Sequence, residues 1–375
     1  MTYQGLLPGK QQTALRAFPK WEFGTIENNQ KIIDPLLGFG CFMLGFKRHD
    51  LIDWVTEKLK QDVYESGECE LNQSGVPRLY DSVFELSNRF YQITGGYKSI
   101  FSLSGSDANE GAIKLAAAYH NIKKTKRFKI IGFKNSYHGS TFLNYNIGRA
   151  FMESALYNLK PYTLVQLIEK EFEIDQVDWS EVMCIIVETR AWCDKLKKYP
   201  VDFWEKIKLL QNKHDIILII DDIFIGGGKT GNWMGWKHMD IQPDIFTQGK
   251  AITGGYFPLA NTLYSQKIDS VIPDNFKWDH GFSYSFHSAG ILSCLKYMDI
   301  LEKENLLTQV SQKKTQAELI FKNNNCKMLE ELGLMYALKY KNKKYLITIP
   351  LTADHEYWQI LNTMLLSSTT QTKEE

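Results

Sequence analysis

No apolar stretch of this chain approaches the roughly 20 residues that a helix needs to cross a bilayer. The N-terminus, MTYQGLLPGKQQTALRAF, also lacks the apolar core of a secretory signal. Neither a membrane span nor export is expected, and the reading is a cytoplasmic protein. An excess of one charge is missing too: 44 basic residues face 43 acidic ones, which excludes the strong positive field that nucleic-acid binding requires. Cysteine is scarce and scattered. Cys41, Cys69, Cys184, Cys193, Cys294 and Cys326 form no C-x-x-C pair, so thiols in a reducing compartment are expected rather than a disulfide frame or a zinc site, and no metal. No internal repeat is visible, and the Ser/Thr/Lys/Glu-rich tail from Ser367 to Glu375 reads as disordered.

What is present suits an ordinary globular protein, with 44% hydrophobic and 23% charged residues over 375 positions, enough for about two domains. Short apolar runs alternate with helix-length stretches: SIFSL from Ser99, FKIIGF from Phe128, VMCIIV from Val182, IILII from Ile216 and IFT from Ile245. Runs hydrophobic on both sides and rich in β-branched residues are the mark of buried, mainly parallel strands with helices on both faces, an α/β fold. Asp50 to Val63 and Ala289 to Leu301 read as amphipathic helices, and LITI from Leu346 as a late strand. The division expected is residues 1–60 and 296–375 as the two parts of a small α+β domain, with residues 61–295 as the large domain.

Ligands of open α/β sheets collect at the carboxyl ends of the strands, so the residues after each run carry the functional information. After SIFSL, Ser104-Gly105-Ser106-Asp107 leads into a helical pattern, a place suited to a phosphate on free N–H groups; equally, Ser106 or Asp107 caps the helix, with Glu110 completing a capping box. After FKIIGF come Tyr137, His138 and Gly139, an aromatic beside glycine that would stack on a flat ring or simply fill a core. After IILII, Asp221 ends a buried strand and needs a cation as partner. The following Gly-Lys-Thr is not a phosphate-binding P-loop, because Ile223 stands where that motif has its first glycine. After IFT, Lys250 sits in a glycine-rich turn, either a solvated loop lysine or an amine placed to form an imine.

Taken together, a phosphate cradle, a stacking aromatic, an acid for a ring nitrogen and an imine-forming lysine describe a site for pyridoxal 5'-phosphate. The segments SGSDANE (104–110), YHG (137–139), DDIFIGGGKTG (221–231) and GKAITGG (249–255) resemble, in order and spacing, the class III (ω-amino acid) aminotransferases of fold type I, over roughly residues 30 to 310. Within that family the lysine segment IQPDIFTQGKAITGGYFPLA looks closest to the diaminopelargonate aminotransferases.

The resemblance implies a mainly parallel, seven-stranded type of sheet in the large domain. It implies roles as well. Gly105, Ser106 and Asp107 would hold the phosphate, Tyr137 and Ile223 would face the two sides of the ring, and Asp221 would pair with the pyridinium nitrogen. His138 and Glu188 would complete the cofactor site, and Lys250 would carry the cofactor as a Schiff base. Ser283, in HGFSYSFHS (280–288), would reach the phosphate in a partner subunit, which implies a homodimer with shared active sites. The activity implied is ping-pong transfer from a small-molecule amine donor to a keto acceptor. An aminomutase of the glutamate-1-semialdehyde type, and a homologue that binds cofactor but has lost catalysis, are the alternatives.

Departures from the family pattern accompany the matches. After Glu188 the usual P-x-x-G-x-G-G is replaced by Thr189-Arg190-Ala191-Trp192-Cys193-Asp194. Cys193 stands where ornithine-type and γ-aminobutyrate-type relatives have a glutamate that masks a C-terminal arginine, and after Leu301 this chain has no arginine. Selection of glutamate through that arginine switch is therefore not expected.

Overall fold

The computed structural model describes residues 25–27, 30–32, 34–61, 78–148 and 164–367. A short hairpin, β1 (Thr25–Glu27) and β2 (Gln30–Ile32), precedes helices α1 (His49–Gln61) and α2 (Arg78–Thr94). The α/β region follows: β3 (Lys98–Ser102), α3 (Gly105–Ile122), β4 (Lys129–Phe133), α4 (Phe142–Ile147), β5 (Val165–Ile168), β6 (Val182–Glu188), α5 (Val201–His214), β7 (Ile217–Asp221), β8 (Ile245–Gln248) and β9 (Ala260–Tyr264). Then come α6 (Ser288–Lys303), α7 (Val310–Asn323), β10 (Lys327–Leu332), β11 (Met335–Tyr340), β12 (Lys343–Thr348) and α8 (His355–Ser367).

The central sheet has seven strands in the order β3-β9-β8-β7-β6-β4-β5. β5, β4, β6, β7 and β8 pair in parallel, whereas β9 runs antiparallel to both its neighbours, so it alone opposes the direction of the sheet. All five apolar runs of the sequence are strands of this sheet, each within one residue of its expected bounds. Sequence reading missed β5 and β9: VQLI has a polar residue inside it, and ANTLY carries two polar positions, Asn261 and Thr262, whose side-chain donors find Ser99 and Ala108 O only in the folded chain. The expected late strand at Leu346 is the end of β12, the last strand of an antiparallel meander.

Alternation along the strands assigns the two faces. Cys184, Ile186, Ile217, Ile219 and Ile245 pack against Ala112, Ile113, Leu115 and Ala116 of α3, while Ile185, Val187, Leu218, Ile220 and Phe246 belong to the larger core on the opposite face. That larger core continues into α6 and into Tyr336 and Leu338 of β11. The helices expected at Asp50 to Val63 and Ala289 to Leu301 are α1 and α6, and they pack on each other; residues 62 and 63 lie outside the described residues, as does the tail from 368. The two ends of the chain meet through Thr348 N–H to Pro35 O, 2.7 Å, and Leu351 N–H to Met43 O, 2.8 Å. The expected domain boundary at 295/296 falls inside α6.

Candidate active site

Every parallel strand near the middle of the sheet ends at the same edge, and the loops leaving that edge converge on one cavity of about 150 Å³. It is lined by Ser104, Gly105 and Ser106 after β3, Tyr137, His138 and Gly139 after β4, Glu188 and Trp192 after β6, Asp221, Ile223 and Phe224 after β7, and Lys250 after β8.

Strand parity places the acids. Asp221 follows Ile217 and Ile219 on the face covered by α3, and its register partners Glu188 on β6 and Thr247 on β8 face the same way. Asn109, one turn into α3, completes the row: its Nδ2 donates to Asp221 Oδ2 at 2.8 Å and to His138 O at 2.8 Å, and Thr247 Oγ1 donates to its Oδ1 at 2.8 Å. His138 Nδ1 also meets Asp221 Oδ2 at 2.8 Å, and Ile223 N–H donates to Oδ1 at 3.1 Å. The carboxylate is thus held by three side-chain and backbone donors and cannot swing. Glu188 lies beside it, accepting from Tyr137 N–H at 3.2 Å; burial first, and the neighbouring Asp221 charge second, raise its carboxyl well above the ordinary range. The next residue, Asp222, points to the opposite face, where its Oδ2 accepts from Gly235 N–H and Gln248 Nε2. Of the twin acids only Asp221 faces the cavity.

Lys250 is presented by a tight turn. Its φ is +52°, left-handed backbone that a side chain adopts at a cost of about 1 kcal/mol or more. The turn is fastened from behind by Thr253 Oγ1 donating to Phe257 O (2.7 Å) and by Ser293 Oγ of α6 donating to Thr253 O (2.8 Å). Lys229, in the Gly-Lys-Thr segment, is different: it is fully buried, donates to Gly226 O at 2.8 Å, and does not line the cavity.

At the other end of the cavity stands the N-terminus of α3. Its cap is Ser104, whose Oγ accepts from Asp107 N–H at 3.2 Å. This corrects the expected capping box, because a cap must precede the helix and Ser106 and Asp107 are already inside it; Glu110 instead accepts from Thr141 Oγ1. Ser106 Oγ accepts from Ser140 N–H at 3.3 Å. Two glycines make the close approach possible: a Cβ on Gly105 would lie 2.6 Å from Ile223 Cδ1, and one on Gly139 (φ +118°) would lie 2.2 Å from Ser106 Oγ.

The sequence-predicted residues Gly105, Ser106, Tyr137, His138, Glu188, Asp221, Ile223 and Lys250 are all brought to the cavity. Asp107 is placed on the first turn of α3, outside the lining, and Ser283 lies exposed in a turn away from it. Sequence reasoning passed over four residues. Asn109 was inside a quoted motif, and its spacing from the helix start was the available signal. Thr247 shares the parity of Ile245. Trp192 and Phe224 had no signal, since their contact is made between two loops.

These residues fit pyridoxal phosphate. The buried Asp221 carboxylate takes its bonds from Asn109, His138 and the Ile223 N–H rather than from a lysine or arginine, so a protonated ring nitrogen beside it would supply a positive partner. The first N–H groups of α3, which no helical carbonyl accepts, would take the phosphate beside Ser106.

Residues 25–347 match the family model of class-III aminotransferases. A γ-aminobutyrate transaminase of Solanum lycopersicum is 29% identical over 76% of this chain and 68% of its own length, and a putrescine–pyruvate aminotransferase of Pseudomonas aeruginosa is 25% identical over 75% and 65%. An uncharacterized aminotransferase of Sinorhizobium fredii is 27% identical over 74% of this chain and 64% of its own length; this chain spans about two thirds of the curated relatives it matches. An (S)-enantioselective ω-transaminase of Thermomicrobium roseum superposes with a TM-score of 0.82 at 18% identity, covering 99% of this chain and 97% of that one, a likeness of fold. Since the matched region spans β1 to β12 and holds every loop that builds the cavity, the chain belongs to the class-III aminotransferases, a family that works with pyridoxal phosphate.

Proposed function

We propose that this chain is a pyridoxal-phosphate-dependent aminotransferase, moving an amino group from an amine or ω-amino acid donor to a keto or aldehyde acceptor in ping-pong order. The observation that carries the reading is that Lys250 and a rigidly held Asp221 line one small cavity together. When bound, the cofactor supplies an aldehyde for the amine and a ring that accepts the electron pair left on the substrate carbon. Asp221, fixed by Asn109 and His138, would face a ring nitrogen with its charge and favour that nitrogen's protonated form. Once the donor has taken its place, the Lys250 amine is free to take the proton from the substrate carbon and return it. Tyr137 and Ile223 orient the ring from opposite sides. Ser283, exposed on its own chain, would serve the phosphate in a second copy.

Replacing Lys250 by alanine tests the reading: both the visible absorbance of the lysine-bound cofactor and all turnover should vanish, with the melting temperature unchanged. A variant that keeps absorbance and turnover overturns it. Product formation from a single amino aldehyde without any keto acceptor would instead indicate the aminomutase. The finer placement near the diaminopelargonate aminotransferases is supported by residues 241–260, which hold Lys250 and carry no information about the donor.

A further inference from the structure

We infer that Trp192 and Phe224 form one aromatic wall of the donor site, selecting amines whose reacting carbon bears an apolar or aromatic substituent rather than a carboxylate. This rests on the role of Lys250 proposed above. Trp192 occupies a short turn, Trp192–Asp194, just beyond β6, and its ring stacks on Phe224 with centroids 4.6 Å apart and planes 11° from parallel. Phe39 and Tyr137 meet Trp192 edge-on, each at 6.3 Å. Lys250 Nζ lies 5.8 Å from the Trp192 ring centroid and 5.9 Å from that of Phe224.

That position decides what the wall touches. A donor amine would have to stand where Lys250 Nζ stands, so the groups around Nζ would become the surroundings of the donor's reacting carbon. The faces of aromatic rings carry partial negative charge; they attract an ammonium, bury flat apolar groups and disfavour a carboxylate. The rest of the lining points the same way. Among the described lining residues Lys250 is the only lysine or arginine, and the Asp221 carboxylate adds negative charge. Arg190, two residues before Trp192, is buried outside the lining and pairs with Glu330 at 3.3 Å. The resemblance assigns neither aromatic a role, although Phe224 stands within the segment of Asp221 and Ile223, and Trp192 lies where the family's P-x-x-G-x-G-G is replaced.

The test uses the loaded full-length enzyme and two substitutions: Trp192→Leu, which keeps bulk in the core but removes the ring, and Trp192→Phe, which keeps a ring. Benzylamine and 1-phenylethylamine are compared with alanine, glutamate and S-adenosylmethionine by the single-turnover loss of visible absorbance. Benzyl alcohol, which has no amine to react, reports equilibrium binding by calorimetry. The aromatic amines are expected to exceed the amino acids in specificity constant by about tenfold or more. Trp192→Leu should lower the aromatic-to-alanine ratio and weaken benzyl alcohol binding by about tenfold each, while Trp192→Phe retains most of both. A preference for glutamate, alanine or S-adenosylmethionine overturns the inference, as do an unchanged ratio and unchanged benzyl alcohol binding in a folded Trp192→Leu protein. If no amine removes the absorbance, yet benzyl alcohol binding depends on the ring at position 192, the role of Lys250 fails while the wall stands.

Discussion

Asp221 faces its cavity because strand parity turns it there and because Asn109, His138 and the Ile223 N–H converge on its two oxygens. Removing one donor to a buried carboxylate costs about 1.5–3 kcal/mol. Asn109→Ala should therefore weaken cofactor binding by roughly 10- to 100-fold without unfolding the protein, measurable by equilibrium titration of the apoenzyme; unchanged affinity would leave Asn109 with a packing role only. Lys229 presents a second residue-scale case. Burial is the dominant cause that pushes its ammonium down to about 7 from the ordinary 10.5. Between those values the unfolded chain holds a proton that the folded chain does not, so stability falls as pH drops through the window, and below about 7 both states hold the proton and the dependence ends. Lys229→Met should flatten the pH dependence by about 1.4 kcal/mol per unit, read from urea unfolding of both proteins between pH 7.5 and 9.5. Parallel curves for the two proteins would refute it.

At the scale of elements, the site depends on how closely loops approach one another. Gly139 carries the loop after β4 against the first turn of α3, with left-handed backbone and no room for a Cβ beside Ser106. Gly139→Ala should cost about 1–3 kcal/mol of stability and loosen the phosphate end of the cavity, so that cofactor dissociates faster. A variant with wild-type melting temperature and cofactor off-rate would show that the loop has freedom to move. The same contact explains a misreading. Ser104, not Ser106 or Asp107, caps α3, because only Leu103 and Ser104 separate the end of β3 from the first helical residue, Gly105, which places Ser106 inside the helix and at the cavity. β9 escaped notice for a related reason. Its Asn261 and Thr262 are buried, and they are tolerated there because Asn261 donates to Ser99 and Thr262 to Ala108 O, partners that only the assembled sheet provides.

For the whole molecule, the proposed small domain draws on both chain ends, joined by the bonds from Thr348 to Pro35 and from Leu351 to Met43. Among the described residues Tyr336, Leu338 and Tyr357 share one continuous cluster with the sheet strands, and Leu332 and Met335 pack with Trp192 and Phe224. If Ser283 serves a neighbouring copy, the active enzyme is a homodimer, and sedimentation of a fully active sample should give twice the 43.4 kDa chain mass. An active species at the monomer mass would remove Ser283 from the site.

The residues alone located five strands of the sheet, implied that most run parallel, and pointed to Lys250 and Asp221 as residues at strand ends, because hydrophobic period and the chemistry at strand ends are local properties of the chain. Gly105, Ser106, Tyr137, His138, Glu188 and Ile223 were legible for the same reason, each standing within a few residues of a strand end. Only the tertiary structure showed that Asn109 holds Asp221 and that Asp222 is engaged on the opposite face by Gly235 and Gln248. It alone stacked Trp192 on Phe224 beside the lysine, and it buried Lys229 out of reach. Each of these is a contact between segments distant in the chain, set by register and loop packing, to which a linear pattern is blind.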